Sequence, residues 1–394
     1  MRIAVAGCGI GGMASAIALA RQGHSVEIFE RFEQPQPLGA GLLLQPSGLE
    51  ALDRLGLQEP IAAAGARIDR LHGVSPDGRT ILDLRYAYGR KADHGIGIHR
   101  ASLFDTLLEA AQDSGIRFRT GASVAGISDW ERPCLTLETG EHCGPFDLVV
   151  VSDGAQSVLR SLVSPAARAP IYPWGAVWAV RPDRDGRWTQ ARNLAQVYDD
   201  CRVMIGVLPV GRDPARADGT PSVSFFWSLR GDGFQRWRDA GLTAFRAQVA
   251  GFWPEAAELF DGVESLDTFT PATYRDVRCP NWRRGRVVLI GDAAHGTSPQ
   301  LGQGANLALG DAVALADSIE PERPAAVSLA AFESERKKTA RFYVWMSWAL
   351  TPVFQGSSQL VARLRNILFG PLCRVPLVRN FMAWTLVGRG RWFW

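Results

Sequence analysis

The sequence predicts an α/β fold in which a parallel nucleotide-binding sheet receives an inserted antiparallel sheet and is followed by C-terminal helices. Three observations predict it: an apolar strand with a Gly-rich turn at the N-terminus, a second such pair at residues 287–312, and several strands between them separated by Asp-, Gly- and Pro-rich turns. Because 394 residues exceed the usual size of one core, we expect a discontinuous first domain (1–170 and 276–340), a substrate-binding sheet domain (171–275) and a C-terminal helical segment (341–394).

The first element is a strand and turn typical of dinucleotide binding. An apolar run at residues 3–5 precedes Gly7, Gly9 and Gly12 in G-x-G-x-x-G spacing. Gly7 permits the tight turn, Gly9 lets the backbone approach a pyrophosphate, and Gly12 allows the following helix (13–21) to pack closely on the strand. The N-terminus of that helix offers free N–H groups to phosphate.

The next strand, at residues 26–29, ends in Glu30. A carboxylate at this position is suited to accept hydrogen bonds from the ribose hydroxyls of an adenosine. The strands and Glu30 together make the motif more specific than a Gly-rich turn alone.

The elements up to residue 151 continue the α/β pattern. We predict a helix at 49–55, strands within 67–86 around a turn at 76–78, and a helix within 99–115 that ends at Gly115. Strands follow at 124–127, 134–137 and 148–151, and the last of these leads into Asp153 and Gly154.

The middle of the chain has a different sequence pattern from the first domain. Strands at 177–180, 203–208 and 223–229 alternate with polar turns, and a helix is predicted at about 244–252. The chain then returns to the first domain with a buried strand at 287–290, followed by Asp292 and a second Gly-rich turn. A simple nicotinamide dehydrogenase does not need this second motif, so the pair of motifs indicates FAD bound in an extended form.

Composition excludes several classes of function. The net charge of +3 and the lack of a basic-aromatic stripe give no sign of nucleic-acid binding. The six cysteines have no C-x-x-C spacing, which predicts reduced thiols in a cytoplasmic protein and no metal site. Glycines interrupt the apolar N-terminus, which therefore predicts a strand and turn instead of a signal peptide.

Three motifs in order resemble those of the single-component FAD-dependent aromatic hydroxylases, the para-hydroxybenzoate hydroxylase-like flavoprotein monooxygenases. They are GCGIGG with Glu30, DGAQSVLR at 153–160, and GDAAHGTSPQLGQGAN at 291–306. The resemblance covers residues 1–340 and implies a Rossmann-like FAD-binding domain. The middle sheet matches only in its general pattern of short strands and polar turns.

The resemblance also implies site residues. Asp292 would bond the ribityl chain, Arg100 would touch the flavin–ribityl region, Asp153 would lie near the pyrophosphate, and Pro299 would flank the reactive flavin edge. Residues 302–306 would wrap the pyrimidine end with backbone N–H groups. The complete cofactor-binding set is Gly7, Gly9, Gly12, Glu30, Arg31, Arg100, Asp153, Asp292, Pro299, Gly302, Gly304, Ala305 and Asn306.

The implied activity is an NADPH- or NADH-dependent insertion of one oxygen atom of O2 into an aromatic or related electron-rich molecule, through a flavin C4a-hydroperoxide. The alternative is a flavin-dependent reductase of an isoprenoid or other lipophilic substrate on the same fold. A halogenase is disfavoured because residues 174–180 read WGAVWAV and lack the W-x-W-x-I-P segment of that class. The substrate, the type of oxygenation and the oligomeric state stay open.

Other residues have competing interpretations. His295 could be a general base, but a supporting role in its loop is the favoured interpretation. Trp178 and Phe226 could line a substrate pocket, although aromatic residues on strands more often belong to the core.

The C-terminal segment is basic and aromatic. It has seven arginines, no acidic residue, and tryptophans at 345, 348, 384, 392 and 394, and it contains no stretch long enough to span a membrane. We expect short amphipathic helices, such as 360–369, that pack over the first domain. Peripheral contact with a membrane is the less favoured alternative.

Overall fold

The computed structural model describes residues 1–37, 39–320 and 322–392, so that Trp394 lies outside the described residues. The strands are β1 (Arg2–Ala6), β2 (Ser25–Phe29), β3 (Gly41–Leu44), β4 (Ala66–Ile68), β5 (Arg70–Val74), β6 (Thr80–Arg85), β7 (Gly95–His99), β8 (Arg117–Arg119), β9 (Val124–Ser128), β10 (Cys134–Leu137), β11 (His142–Cys143), β12 (Leu148–Val151), β13 (Ile171–Pro182), β14 (Asn193–Asp199), β15 (Val203–Gly211), β16 (Ser222–Arg230), β17 (Thr270–Arg275), β18 (Arg283–Arg284) and β19 (Val287–Leu289).

The helices complete the element list. They are α1 (Ile10–Arg21), α2 (Pro46–Arg54), α3 (Gln58–Ala64), α4 (Arg100–Asp113), α5 (Arg160–Val163), α6 (Arg187–Ala191), α7 (Phe234–Phe252), α8 (Pro254–Ala257), α9 (Asp292–His295), α10 (Gly304–Ser318), α11 (Ala325–Phe354), α12 (Gln359–Leu372) and α13 (Pro376–Leu386).

A six-stranded sheet with the order β18-β19-β12-β1-β2-β8 forms the first layer. Its strands are parallel except β18, which runs antiparallel to β19. The central strands are apolar throughout, and Ile3, Val5, Val149 and Val288 are completely buried in a core that also includes residues of the three-stranded sheet β11-β10-β9. The predicted Rossmann-like core is confirmed, and the two Gly-rich turns follow the carboxyl ends of β1 and β19, which lie on either side of β12.

A seven-stranded sheet with the order β17-β13-β16-β15-β14-β5-β6 forms the second layer. The predicted antiparallel sheet is therefore present, with one difference: β14 pairs with β5 in parallel. The hairpin β5–β6 comes from residues 70–85, so no short turn fixes its direction relative to β14. Two strands of this sheet thus lie outside residues 171–275.

One face of the seven-stranded sheet packs against α7. Phe225 and Trp227 of β16 point to this side and contact Phe245 of the helix, with ring centroids 6.3 and 5.3 Å apart. The helix begins at Phe234, ten residues before the predicted start, and is interrupted at Gly241, where φ is 81°. Because this conformation is left-handed, it suits glycine and breaks the helical pattern on which the shorter prediction rested.

The C-terminal helices α11, α12 and α13 cover both layers. Helix α11 runs unbroken across residue 340, where the sequence predicts the start of the last segment. Pro352 and Pro371 lie inside α11 and α12, each in the last turn of its helix. Among the described residues, no helix has the length and apolarity needed to traverse a bilayer.

Candidate cofactor site and active site

The turn after β1 is shaped by three glycines with different surroundings. Gly7 has φ of +107°, and a Cβ there would lie 2.6 Å from the Ser152 carbonyl oxygen. A Cβ on Gly12 would lie 2.0 Å from the Gly7 carbonyl oxygen, whereas one on Gly9 would meet no atom within 4 Å. Gly7 and Gly12 are therefore required by close packing, and Gly9 leaves room in front of the N-terminus of α1 for a ligand.

Glu30 is fixed at the end of β2 by two backbone donors. The Cys8 N–H donates to Oε2 at 2.9 Å and the Phe32 N–H donates to Oε1 at 3.0 Å. Each carboxylate oxygen keeps a free lone pair, so the group can still accept bonds from ribose hydroxyls. The neighbouring Arg31 is exposed, and its guanidinium lies 4.6 Å from the Phe32 ring centroid.

Asp153 follows β12 on the same edge of the parallel sheet. Its Oδ2 accepts from the Val158 N–H at 3.1 Å, while Oδ1 is buried without a hydrogen-bond partner among the described residues. Burial raises the pKa of this carboxyl, against the opposing effects of the Ser157 hydrogen bond and the Arg160 charge. A buried acceptor without a partner is rare in proteins and indicates a missing donor.

Arg160 connects this motif with the one that follows β19. Its Nε donates to the Ala293 carbonyl at 2.7 Å, and its Nη2 lies within 3.1 Å of the carbonyls of Gly154, Ala155 and Asp292. The side chain is buried, and this burial lowers the pKa of the guanidinium, against the attraction of Asp153. Sequence reasoning did not select Arg160 for the site, although it is the last residue of the DGAQSVLR motif.

The turn after β19 is held by a buried carboxylate. Asp311 of α10 accepts from the Gly291 N–H at 2.9 Å, from His295 Nε2 at 2.5 Å and from Arg336 Nε at 2.7 Å. Burial alone would raise the pKa of Asp311, but the charges of His295 and Arg336 and the hydrogen bonds from His295 and Gly291 lower it to about 2. Gly291 itself has φ of +56°, a conformation that favours glycine.

The side chain of His295 is held inside the protein. It is buried, bonded to Asp311, and stacked on Trp282 with ring centroids 5.1 Å apart. This position favours the supporting role over the general-base interpretation, because a base must reach the proton that it removes.

The loop that follows carries Pro299 and leads into α10. Residues Pro299–Leu301 form a single 3-10 turn, Gly302 has φ of +60°, and α10 begins at Gly304. A Cβ on Gly304 would lie 3.9 Å from Asp292 Oδ1, which brings the two predicted cofactor residues together. The backbone N–H groups of Gly304, Ala305 and Asn306 belong to the first turn of α10 and have no partner inside the helix.

The side chain of Asn306 is fully engaged with protein. Its Nδ2 donates to the carbonyls of Leu43 and Gly302 at 3.1 and 2.9 Å, and its Oδ1 accepts from the Gln45 N–H at 2.9 Å. Only the backbone of Asn306 is thus available to a ligand.

Gln45 was not predicted as a site residue. Its Oε1 accepts from the Tyr86 hydroxyl at 2.5 Å, but its Nε2 is buried without a partner among the described residues, and a Cβ on Gly302 would be 3.8 Å away from it. No sequence signal distinguishes this glutamine, since its importance depends on the contact between β3 and α10.

Arg100 joins the cofactor region to the seven-stranded sheet. Its guanidinium lies beside Gly39, whose Cβ would be 3.3 Å from Nη1. The side chain is accessible to solvent on one side, yet the surrounding protein desolvates the guanidinium and lowers its pKa, against the attraction of Asp292 and Tyr274. Arg100 therefore lies between the predicted ribityl contact and strand β17.

Trp178 and Phe226 face the side of the sheet opposite α7. They oppose each other across β13 and β16, and their ring centroids are 4.9 Å apart. The Trp178 Nε1 lies 3.3 Å from the Tyr274 hydroxyl, whose pKa burial raises to about 12. Because β3 and Arg100 lie on this side, the pair is placed toward the cofactor residues, whereas Phe225 and Trp227 belong to the core.

A polar network that the sequence did not reveal supports the Pro299 loop. Gln300 Nε2 lies 3.2 Å from the Tyr172 hydroxyl and 2.6 Å from Gln355 Oε1, and the Tyr172 hydroxyl donates to Gln355 at 2.9 Å. The three residues come from the loop, β13 and the end of α11. The loop is therefore fixed to both the sheet and a C-terminal helix.

Nearly all of the predicted cofactor residues thus meet along one edge of the parallel sheet, and they fit FAD. Gly9 leaves space at a helix N-terminus, Glu30 offers free lone pairs, and the buried Asp153 Oδ1 and Gln45 Nε2 have no partners. The exception is Arg31, whose guanidinium lies against Phe32.

Comparisons with known proteins agree with this geometry. Residues 1–344 match the family described as FAD binding domain. The chain is 30% identical to 2-heptyl-3-hydroxy-4(1H)-quinolone synthase of Pseudomonas aeruginosa over 384 residues, which are 93% of each chain. The chain belongs to the FAD-dependent aromatic hydroxylases.

Other relatives and solved structures extend the comparison. The chain is 28% identical to aurachin C monooxygenase/isomerase of Stigmatella aurantiaca over 93% of each chain, and 27% identical to 3-hydroxybenzoate 6-hydroxylase of Klebsiella oxytoca over 94% of this chain and 92% of that one. The structure of Klebsiella pneumoniae HpxO with FAD and uric acid shares the fold, with a TM-score of 0.83, 21% identity, and coverage of 98% and 97%.

The enzyme is accordingly an FAD-dependent monooxygenase with NAD(P)H as reductant, which inserts oxygen from O2 into aromatic or related electron-rich molecules. The prediction of the family, the cofactor and the reaction is confirmed. The comparisons do not favour the reductase alternative.

Proposed function

We propose that the enzyme oxygenates a flat, uncharged heteroaromatic substrate of the quinolone kind, held between the Trp178–Phe226 pair and the Pro299 loop. The observation that carries the proposal is the aromatic pair itself, which lies on the cofactor side of the sheet with centroids 4.9 Å apart. Aromatic faces at this spacing stack well on a planar ring.

The surroundings of this pair are uncharged. Phe226 lies over Gly206, where a Cβ would be 2.1 Å from the ring, and the same face carries Ser224 and Leu208. Burial of a carboxylate against the centre of such a face would be unfavourable, because the nearby cation Arg100 lies at its border and the lost hydration would not be compensated. Two of the similar proteins carry the names of a quinolone synthase and of aurachin C monooxygenase, which supports a heteroaromatic substrate.

The roles of the cofactor residues are part of the same proposal. When bound, FAD supplies electron transfer from NAD(P)H and the activation of O2. Glu30 binds the ribose, Asp292 and Arg100 orient the ribityl region, and the N-terminus of α10 stabilises negative charge at the pyrimidine end. The Tyr172–Gln300–Gln355 network holds the Pro299 loop and excludes water from the reacting edge.

Arg100 provides the observation in favour of a second candidate, an aromatic carboxylate. It lies close enough to Tyr274 and Asp292 to interact with both electrostatically, at the border of the aromatic face. A substrate carboxylate at this border would compete with Asp292 for the guanidinium, which is why the neutral substrate is our first choice.

Anaerobic reduction of the purified flavoprotein by NADPH and by NADH tests the proposal. We expect alkylquinolones to accelerate flavin bleaching at least about tenfold and to acquire one atom of ¹⁸O from ¹⁸O2, measured by mass spectrometry. Stronger acceleration by hydroxybenzoates would favour the carboxylate alternative and contradict our proposal. We also place the enzyme in the cytoplasm, in agreement with six free cysteines.

A further inference from the structure

The outer surface of the last two helices is apolar, in contrast to the usual surface of a protein. Leu360 and Leu377 are 68% and 81% exposed. We define the apolar C-terminal surface by six exposed side chains, Leu360, Leu364, Ile367, Leu368, Leu377 and Phe381. Each of these six side chains is between 46% and 81% exposed, and a large exposed group of apolar side chains indicates an interaction site.

The two helices present these residues on one side of the molecule. The inner face of α12 carries Ala362, Arg365 and Gly370, which are buried, and both α12 and α13 contact β6. Gly370 permits the close approach, since a Cβ there would lie 2.4 Å from the Thr80 carbonyl oxygen. Because both inner faces rest on the same strand, both outer faces point away from it.

The charges of the segment are all positive. Residues 341–394 contain seven arginines and no acidic residue, and Arg363 and Arg374 are exposed beside the apolar side chains. Arg365, by contrast, is buried, with its guanidinium 5.3 Å from the Tyr198 ring centroid.

The nearby carboxylates do not neutralise this surface. Asp83 of β6 is paired with Arg70 at 2.7 Å, and Asp93 is paired with Arg389 at 2.7 Å. Arg389 and Arg391 are paired with carboxylates, whereas Arg363 and Arg374 have no ion pair among the described residues, so the apolar C-terminal surface keeps positive charge beside it.

From this combination we propose that the apolar C-terminal surface binds the face of an anionic lipid bilayer. Leucine and phenylalanine side chains enter the boundary between headgroups and acyl chains, and arginines contact the lipid phosphates. A second copy of this chain fits less well, because a symmetric contact would bring arginines of like charge together without acidic partners. The contact is peripheral, and it does not depend on the identity of the substrate.

The membrane contact would lie close to the cofactor loop. The Leu386 carbonyl at the end of α13 accepts from Gln303 Nε2 at 2.8 Å, and the Val387 carbonyl accepts from the Ser47 N–H at 3.1 Å. Bilayer binding would therefore hold the active site near a lipid phase, from which a lipophilic aromatic molecule can partition.

Co-sedimentation of the FAD-loaded full chain with vesicles tests the proposal. We expect binding to vesicles of phosphatidylcholine mixed with phosphatidylglycerol, weaker binding to phosphatidylcholine alone, and weakening by salt. Leu364→Glu with Leu368→Glu should reduce binding at least about tenfold, since two apolar contacts are replaced by charges that repel the lipid. Leu360→Glu with Leu377→Glu is an independent second variant.

The matched control is Val327→Glu, an exposed apolar residue near the other end of α11. It should bind vesicles like the wild type, and all variants should keep the flavin absorbance spectrum. Failure of the wild-type chain to bind either vesicle, or equal binding by the double variants, would overturn the proposal. A wild-type dimer that dissociates in the double variants, without vesicle binding, would show that a second copy covers the surface.

Discussion

Asp311 offers the sharpest test of how the second Gly-rich turn is held. The carboxylate is completely buried and accepts hydrogen bonds from Gly291, His295 and Arg336. Asp311→Ala removes the acceptor of all three donors and leaves the buried His295 side chain and the Gly291 N–H without this partner. Because Gly291 precedes Asp292, the substitution should also move a predicted cofactor contact.

The expected loss of stability follows from the pKa of Asp311 and from the loss of the carboxylate as a hydrogen-bond partner. A pKa lowered from 3.8 to about 2 corresponds to about 2 kcal/mol of stabilisation by the ionised form. Breaking a buried charged pair by removing one partner destabilises by about 3–5 kcal/mol in total. With about 2.1 cal/mol/K per residue over 394 residues, the unfolding entropy is about 0.8 kcal/mol/K, so Tm should fall by about 4–6 °C.

Thermal unfolding followed by circular dichroism, and FAD release followed by flavin fluorescence, measure the two effects. Asp317→Ala is the matched control, because Asp317 is also on α10 but its pair with Arg54 is about half exposed. The control should change the free energy of unfolding by less than about 1 kcal/mol. If Asp311→Ala unfolds within about 1 °C of the control and binds FAD equally well, the carboxylate does not stabilise the turn.

The pH dependence of stability gives an independent check. The pKa of Asp311 is lower in the folded chain than in the unfolded chain. As the pH falls, the carboxyl therefore takes up its proton in the unfolded chain first, and this favours unfolding. The contribution of Asp311 is therefore fully present above pH 3.8 and is lost as the pH falls toward 2. The stability difference between wild type and Asp311→Ala should shrink across that window in urea unfolding.

Three further predictions concern the cofactor and the substrate. Glu30→Gln should weaken FAD binding about tenfold, measured by flavin fluorescence, while the exposed Glu33→Gln does not. Gly9→Ala should fold normally but bind FAD poorly, whereas Gly12→Ala should lower Tm, because only the second methyl group meets protein atoms; equal Tm values would contradict this contrast. Trp178→Ala should raise KM for the aromatic substrate about tenfold with a smaller effect on kcat, and an unchanged KM would remove Trp178 from the pocket.

The fold could be predicted in large part because its strongest signals are local. Apolar strands at residues 3–5, 148–151 and 287–290 and their Gly-rich turns specify the parallel sheet directly, since buried parallel strands have no polar alternation. The strand β14 was missed because its polar residues, including Gln196, lie among buried neighbours in a mixed sheet. The pairing of β14 with β5 joins segments far apart in the chain, which no local pattern encodes.

The residues of the candidate site also differ in whether a local sequence signal reveals them. Gly7 and Glu30 were predicted from their spacing, and Asp153 and Asp292 from the resemblance of the contiguous motifs that contain them. Gln45, Tyr172 and Gln355 act through partners on distant elements, so only their side-chain geometry distinguishes them.

The shared seven-stranded sheet limits how this enzyme can be rebuilt. Exchanging residues 171–275 for the corresponding segment of a relative, as in a chimera made to change substrate preference, would leave the hairpin β5–β6 of the original chain beside a foreign β14. Five parallel residue pairs, from Asn193 with Arg70 to Val197 with Val74, would have to be matched anew. A transferable unit must therefore carry residues 70–85 along with the middle strands, and recombination points chosen only by sequence order would cut through one continuous sheet.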